Sequence, residues 1–176
     1  CQLLGVDCTD DMVHWPDTRS RFVATESRIG ITLKLLYINT QSFPSPKAST
    51  VQVMQMCAAF AANRIEVKLV ARAPEADQMS TAELWRHYDV PENFEIKQYQ
   101  RPRGLRASDR LQIRAFRHER NSASLCYTRG RDVTAPLLAL MSGMSACVEV
   151  HTPPVTARER WFLNLVRAHP RGRLVM

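Results

Sequence analysis

From Lys34 onward, the chain alternates short runs rich in β-branched and aromatic residues with stretches of helical periodicity. The predicted strands are Lys34–Asn39, Ile65–Ala71, Phe94–Tyr99, Ser124–Thr128 and Ala146–His151. The predicted helices are Thr50–Asn63, Thr81–Tyr88, Ser108–Arg120, Thr134–Met141 and Ala157–Ala168. Strands that alternate with helices at this spacing indicate βαβ units. The sequence therefore predicts an α/β fold with a doubly wound, mostly parallel sheet and helices on both of its faces.

Hydroxyl residues stand where two of the predicted helices begin. Ser49 or Thr50 is predicted to cap the first helix, and Ser108 is predicted to cap the helix rich in arginine. A hydroxyl at this position accepts a hydrogen bond from a free amide of the first turn.

Residues 1–32 show neither helical nor strand periodicity and mix Asp10, Asp11, Pro16 and Asp17 with scattered apolar residues. We interpret them as an irregular leader that need not belong to the folded unit, and residues 33–176 as one domain. No run approaches the roughly 18 apolar residues of a membrane-spanning helix, and no signal-peptide pattern is visible. The five cysteines include no CxxC pair, which argues against a zinc site and favours reduced thiols in a cytoplasmic protein.

Several classes of enzyme are excluded by their missing motifs. The loop between the first strand and the first helix, TQSFPSPKAST, has no glycine, so the GxGxxG of a nicotinamide or flavin site is absent. The sequence also lacks a P-loop, a GxSxG elbow and an HExxH pair. Dehydrogenases, P-loop hydrolases of nucleotides, serine hydrolases and zinc hydrolases are therefore improbable.

The formal net charge of +7 comes from one segment, because nine arginines between Arg101 and Arg131 face only Asp109 and Glu119. The spacing predicts a helix on which six arginines share one face, namely Arg103, Arg106, Arg110, Arg114, Arg117 and Arg120. The apolar residues between them form a poor core stripe. A local basic surface calls for an anionic partner, and we expect peripheral contact with anionic lipid at the inner face of the membrane. No recognised nucleic-acid module is present.

Four blocks of the sequence resemble glycosyltransferase family 4, whose members are retaining enzymes of the GT-B fold. They are KLLYINTQSFPSPKASTVQVMQMCAAFAANRIEVKLVARAPE, ELWRHYDVPENFEI, SLCYTRGRDV and ACVEVHTPP. They occur in the family's order and cover about residues 33–176.

The resemblance implies two Rossmann-like domains that face a cleft. The carboxy-terminal domain binds the nucleotide sugar through a Glu-x7-Glu motif, and the amino-terminal domain binds a carbohydrate or lipid-linked acceptor. This chain resembles only the amino-terminal domain, and it stops about where that domain's sixth strand begins, at GRLVM. We therefore expect it to be inactive without the missing carboxy-terminal domain, and to need no metal or other cofactor. The Glu75–Glu83 spacing, in the wrong domain, is interpreted as coincidence.

In a doubly wound sheet, ligands lie outside the carboxyl ends of the strands. The resemblance implies that His151 contacts the donor sugar and is the catalytic residue, with Glu149 as its support. Arg129 matches an arginine at the family's cleft, and Lys47, Ser49 and Thr50 match its acceptor- and phosphate-facing loop.

Two alternatives remain open at the level of the sequence. Family members usually carry glycines where this chain has Pro-Ser-Pro-Lys, so the loop is equally well interpreted as a proline-stiffened connector. The whole chain is alternatively a non-catalytic, doubly wound ligand-binding module or, with less support, a basic nucleic-acid-binding protein.

Overall fold

The structure, a computed structural model, describes residues 32–75, 79–104, 106–130 and 132–175. The leader expected at residues 1–32 lies, up to Ile31, outside the described residues. The elements in chain order are β1 (Lys34–Ser42), α1 (Ala48–Ala62), β2 (Glu66–Arg72), α2 (Thr81–His87), β3 (Glu95–Tyr99), α3 (Ala107–Glu119), β4 (Leu125–Arg129), α4 (Thr134–Met141), β5 (Ser145–Glu149), α5 (Ala157–Ala168) and β6 (Gly172–Val175).

The six strands form one sheet in the order β3-β2-β1-β4-β5-β6, and every neighbouring pair is parallel. The order reverses between β1 and β4, so the carboxyl ends of these two strands flank the crevice where such sheets bind ligands. The predicted doubly wound α/β fold is confirmed, and Gly172–Val175 forms the sixth strand.

Both faces of the sheet are covered by helices. Successive side chains of β1 point to opposite faces, so Leu35 and Tyr37 pack in a cluster with residues of α1 and α2. Leu36 and Ile38 pack in a second cluster with residues of α3, α4 and α5. Burial on both faces explains the nearly continuous apolar run of β1, since a central parallel strand has no solvent-facing side.

The predicted cap of α1 is wrong. The helix begins at Ala48, and its N-cap is Lys47, whose side chain makes no capping bond. The Thr50 hydroxyl instead donates to the carbonyl oxygens of Ser45 (2.8 Å) and Lys47 (2.7 Å). A threonine inside the first turn satisfies itself on the preceding carbonyls, as this residue type does within helices.

The predicted cap of α3 is also wrong, because its N-cap is Arg106 in the left-handed conformation, without a side-chain bond. The α3 face expected to be a poor core stripe is in fact buried along its whole length. Its buried residues are Ala107, Leu111, Gln112, Ala115, Phe116 and Glu119. Two of them are polar, and they are buried because the neighbouring elements supply partners: Gln112 Oε1, for example, accepts the backbone N–H of Ala135 at 2.9 Å.

Glu119 connects α3 to strands β2 and β3. Its carboxylate, 5% exposed, accepts hydrogen bonds from Lys68 Nζ (2.9 Å), Lys97 Nζ (3.2 Å) and the Tyr99 hydroxyl (2.8 Å). Burial opposes ionisation, but these three donors outweigh it and hold the pKa of Glu119 below its usual value.

We expect Glu119→Gln to lower the free energy of unfolding by about 2 kcal/mol at pH 7, because two lysines lose their hydrogen bonds to a charged acceptor. The contribution of a carboxyl with a depressed pKa is present above its unfolded pKa, about 4.3, and is lost as the pH falls through the folded value. The difference between variant and wild type should therefore shrink as the pH is lowered from 5 to about 3. Urea unfolding across this range checks it, and a difference independent of pH would contradict the role of the charge.

No helix among the described residues is both long enough and apolar enough to cross a membrane.

Candidate functional site

Two of the predicted site residues are direct neighbours across the sheet. Arg129 ends β4 and lies opposite Glu149, which ends β5. His151 was predicted to end that strand, but the ladder stops at Glu149, so His151 lies in the loop that follows. Gly130 turns the chain after β4 with φ of 75°, and its N–H donates to the carbonyl of Glu149 at 2.8 Å. The two strand ends are thereby held together at the carboxyl edge.

The guanidinium of Arg129 is engaged on three sides. Its Nε donates to His151 Nε2 (2.6 Å), its Nη2 to Gln52 Oε1 (2.5 Å), and its Nη1 lies 3.5 Å from the carbonyl oxygen of Ser49. Only 13% of the side chain is exposed. Arg129 thus joins β4, the loop after β5 and the first turns of α1.

Glu149 supports the histidine from the sheet side. Its Oε1 lies 2.6 Å from His151 Nε2, and its Oε2 accepts the hydroxyl of Tyr127 at 2.9 Å. Burial, together with the adjacent carboxylate of Glu149, raises the pKa of Tyr127, so this hydroxyl remains a donor.

The nitrogen Nε2 of His151 has two close partners with opposite demands. When it carries a proton it donates to Glu149, and when it has a free lone pair it accepts from Arg129. The imidazole is therefore held by one of these two partners whichever ring nitrogen carries the proton, while 43% of its side chain stays exposed to solvent. A histidine held in this way can bind a hydroxyl or move a proton at a fixed position.

The loop before α1 presents its predicted residues unequally. Lys47 is exposed, and Ser49 is half-buried with its hydroxyl donating to Gln41 Oε1 at 2.9 Å. Thr50 is fully buried and its hydroxyl is committed to the preceding carbonyls. The hydroxyl of Tyr88, the residue after α2, donates to the carbonyl of Ser45 at 3.0 Å and holds the loop in place. Lys47 is thus the member of the loop that is open to an anionic ligand.

Sequence reasoning missed two residues of this edge. Gln52 holds Arg129 from one turn along α1, and no motif marks it. Asp132, in the loop after β4, accepts the hydroxyl of Thr40 (2.9 Å to each oxygen) and the Thr40 backbone N–H (3.1 Å). Burial raises the pKa of Asp132 although Thr40 and Ser108 donate to it. Asp132 belongs to SLCYTRGRDV, one of the blocks that resemble family 4. Its position just after a predicted strand was the one signal that could have identified it as a site residue.

A small cavity of about 20 Å³ opens next to Gly130, which follows β4, and next to the amino end of α5. It is lined by Gly130, Val133, Val150, Thr152, Pro153, Pro154, Glu159 and Leu163. A more open depression of about 320 Å³ shares Val133 and Glu159 with it and continues towards Asp109. The carboxyl edge is thus concave on the side of α4 and α5.

Within the described ranges, no group of three histidine, cysteine, aspartate or glutamate residues is placed to hold a metal ion. The chemistry at this edge is that of an oriented imidazole, a buried carboxylate, an engaged guanidinium and an exposed ammonium. Such a set can bind hydroxyl groups and anions.

No family model matches the chain, and no curated protein matches it. Among solved structures, Glycyrrhiza uralensis UGT73P12 complexed with glycyrrhetinic acid 3-O-monoglucuronide is similar over 70% of this chain and 29% of its own, with 13% identity and a TM-score of 0.51. A UDP-glucosyltransferase from Polygonum tinctorium covers 71% of this chain and 30% of its own, with 8% identity and a TM-score of 0.43. The C-terminal domain of the PF1911 hydrogenase from Pyrococcus furiosus covers 66% and 90%, with 16% identity and a TM-score of 0.45.

The chain spans less than a third of the length of the two plant proteins. At 13% identity, the likeness to the first of them shows the fold alone. That fold is a Rossmann-like α/β sheet of the kind found in half of a GT-B glycosyltransferase.

Proposed function

We propose that this chain is the amino-terminal, acceptor-side domain of a retaining, cytoplasmic glycosyltransferase similar to family 4. The intact protein would transfer a sugar from a nucleotide sugar to a carbohydrate or lipid-linked acceptor. The observation that carries the proposal is the cluster of Arg129, Glu149 and His151. It lies at the carboxyl edge of a GT-B-like half-domain, beside the first turn of α1.

In this proposal His151 contacts the transferred sugar and is the catalytic residue. Glu149 and Arg129 orient it, because Glu149 Oε1 and Arg129 Nε each lie 2.6 Å from His151 Nε2. These two atoms lie 3.8 Å from each other. Lys47 supplies the positive charge that meets an anionic group of the acceptor or donor, because it is the exposed cation of the loop. Ser49 borders the same edge, and Thr50 supports the loop from inside.

A second domain, outside this chain, would bind the nucleotide sugar and complete the cleft. As the resemblance to family 4 implies, the chemistry would then need the positioning of two substrates and no metal or prosthetic group. Half of a cleft cannot position both substrates.

We therefore expect no measurable glycosyl transfer by the 176-residue chain alone, and transfer by the protein translated from the whole reading frame. The assay uses a panel of nucleotide sugars with mass-spectrometric detection of product, and NMR of the product reports whether the anomeric configuration is retained.

Robust turnover by the isolated chain would contradict the half-enzyme proposal. Inversion of the anomeric configuration would contradict the retaining mechanism. Ligand binding without transfer by the whole protein would favour the non-catalytic ligand-binding module.

A further inference from the structure

Six arginines form an exposed surface along α3, which we name the arginine face. Its members are Arg103, Arg106, Arg110, Arg114, Arg117 and Arg120, and all of them are exposed. At 100° per residue, those from Arg106 to Arg120 fall within about a third of the helix circumference. The opposite side of α3 is the buried face described above, so the helix cannot rotate to hide these charges.

The acidic residues of α3 do not neutralise the arginine face. Asp109 accepts the hydroxyl of Thr134 at 2.6 Å and pairs with Arg158 of α5 at 3.8 Å. Glu119 is buried and is committed to Lys68 and Lys97. In the part of the chain that the structure describes, none of the six arginines has an ion-pair partner. The face therefore presents uncompensated positive charge.

The loop before α3 extends the face beyond the helix. Arg110 Nη1 donates to the carbonyl oxygen of Arg103 at 2.9 Å, which holds this loop against the first turn. At the other side, the guanidinium of Arg114 lies 5.7 Å from the centre of the Tyr99 ring, a cation–π distance. The charges are thus carried by an ordered surface rather than by a solvated tail.

We propose that the arginine face docks onto the anionic headgroups of a lipid bilayer. The headgroups of an anionic bilayer present phosphates and carboxylates in one plane. Each guanidinium on the exposed side of α3 can form charge-assisted hydrogen bonds with them. A nucleic acid fits less well, because α3, which the structure describes throughout, exposes no asparagine or glutamine and only one ring, that of His118, packed at the edge of Tyr99.

This docking is independent of the proposed sugar transfer, but the two share one edge of the molecule. Because α3 follows β3, its first turn and Arg103 lie at the carboxyl edge of the sheet, where the His151 cluster also lies. A docked chain would therefore hold that edge close to the membrane surface.

Vesicle sedimentation of the 176-residue chain tests the proposal. The vesicles contain phosphatidylcholine alone or phosphatidylcholine mixed with phosphatidylserine, and tubes without vesicles correct for self-sedimentation. We expect binding to the anionic vesicles only, and a loss of binding as salt is added. The variant Arg106→Gln/Arg117→Gln/Arg120→Gln should lower the partition coefficient about 100-fold, at about tenfold or less for each arginine.

The matched control removes three exposed charges from other helices, in the variant Arg86→Gln/Arg160→Gln/Arg167→Gln on α2 and α5. It should change the partition coefficient less than about threefold, because these residues lie outside the docking face. Equal binding to both vesicle types, insensitivity to salt, or equal losses in the two triple variants would overturn the proposal. Preferential, salt-resistant binding to an RNA or DNA oligonucleotide would assign the face to nucleic acid instead. Circular dichroism verifies that each variant is folded.

Discussion

Replacing His151 by alanine in the whole protein should lower kcat by 100- to 1,000-fold and raise KM far less. The imidazole is oriented by Glu149 and Arg129 before any ligand arrives, so the contact that we propose between it and the sugar should be worth most in the transition state. Loss of a contact made mainly in the transition state appears in kcat rather than in KM. Steady-state kinetics with the best nucleotide sugar from the panel measures both parameters.

The matched control is His169→Ala. His169 lies between α5 and β6, hence at the amino edge of the sheet, opposite the cluster. Its Nδ1 accepts the backbone N–H of Arg171, at 3.2 Å. This variant should keep kcat within about twofold of wild type, because it touches no group of the cluster. An unaltered kcat in His151→Ala, or a rise in KM alone, would remove His151 from the catalytic role.

The variant Gly172→Ala should lower the free energy of unfolding by about 3 kcal/mol. A β-carbon at Gly172 would lie 1.9 Å from the carbonyl oxygen of Val166 and 3.3 Å from that of His169. Both are backbone atoms at the end of α5, so no side-chain rotation can relieve the overlap. Either β6 or the last turn of α5 must move, and Val166 is fully buried. Urea denaturation followed by circular dichroism measures the loss.

Gly130→Ala separates backbone strain from steric overlap. A β-carbon there meets nothing within 4 Å, but φ of 75° is unfavourable for alanine. The expected loss is about 1 kcal/mol. If Gly172→Ala costs no more than Gly130→Ala, the close packing of α5 on β6 is not what requires a glycine at position 172.

The alternation of strands and helices was sufficient to predict the sheet and its parallel pairing. A helix between two strands returns the chain to the same edge of the sheet, so the two strands run in the same direction. The ends of the elements were harder to predict. Thr50 is of a residue type that often caps helices, but its hydroxyl donates to the carbonyl oxygen of Lys47. It lies inside the first turn, and α1 begins two residues earlier than predicted. In β5 the apolar pattern continues past Glu149, although the ladder has already ended there.

The burial of polar residues could not be predicted from periodicity. Gln112 and Glu119 complete the buried face of α3, but as polar residues they break its apolar pattern. Their burial depends on the N–H of Ala135 and on Lys68 and Lys97, which belong to other elements. A pattern along one helix carries no information about such partners.

At the candidate site, the positions of Arg129 and His151 near strand ends followed from the sequence, but the contacts of Arg129 did not. Gln52 lies 77 residues from Arg129 along the chain, and it has no motif. The sequence suggested a guanidinium free to bind phosphate. In the structure that group is held by Gln52, Ser49 and His151, so its role in orienting His151 becomes apparent only in three dimensions.

The engagement of Arg129 has a consequence for competition by small ions. To bind Arg129, a free phosphate or sulfate must replace hydrogen bonds that the guanidinium already makes within the protein. An arginine exposed to water gives up only hydrogen bonds to solvent when it binds the same ion. Simple anions therefore compete poorly at this position. A larger ligand can offset the exchange with contacts to Lys47 and His151 at the same edge. We therefore expect this edge to favour molecules that present several groups at once over the inorganic salts that surround them.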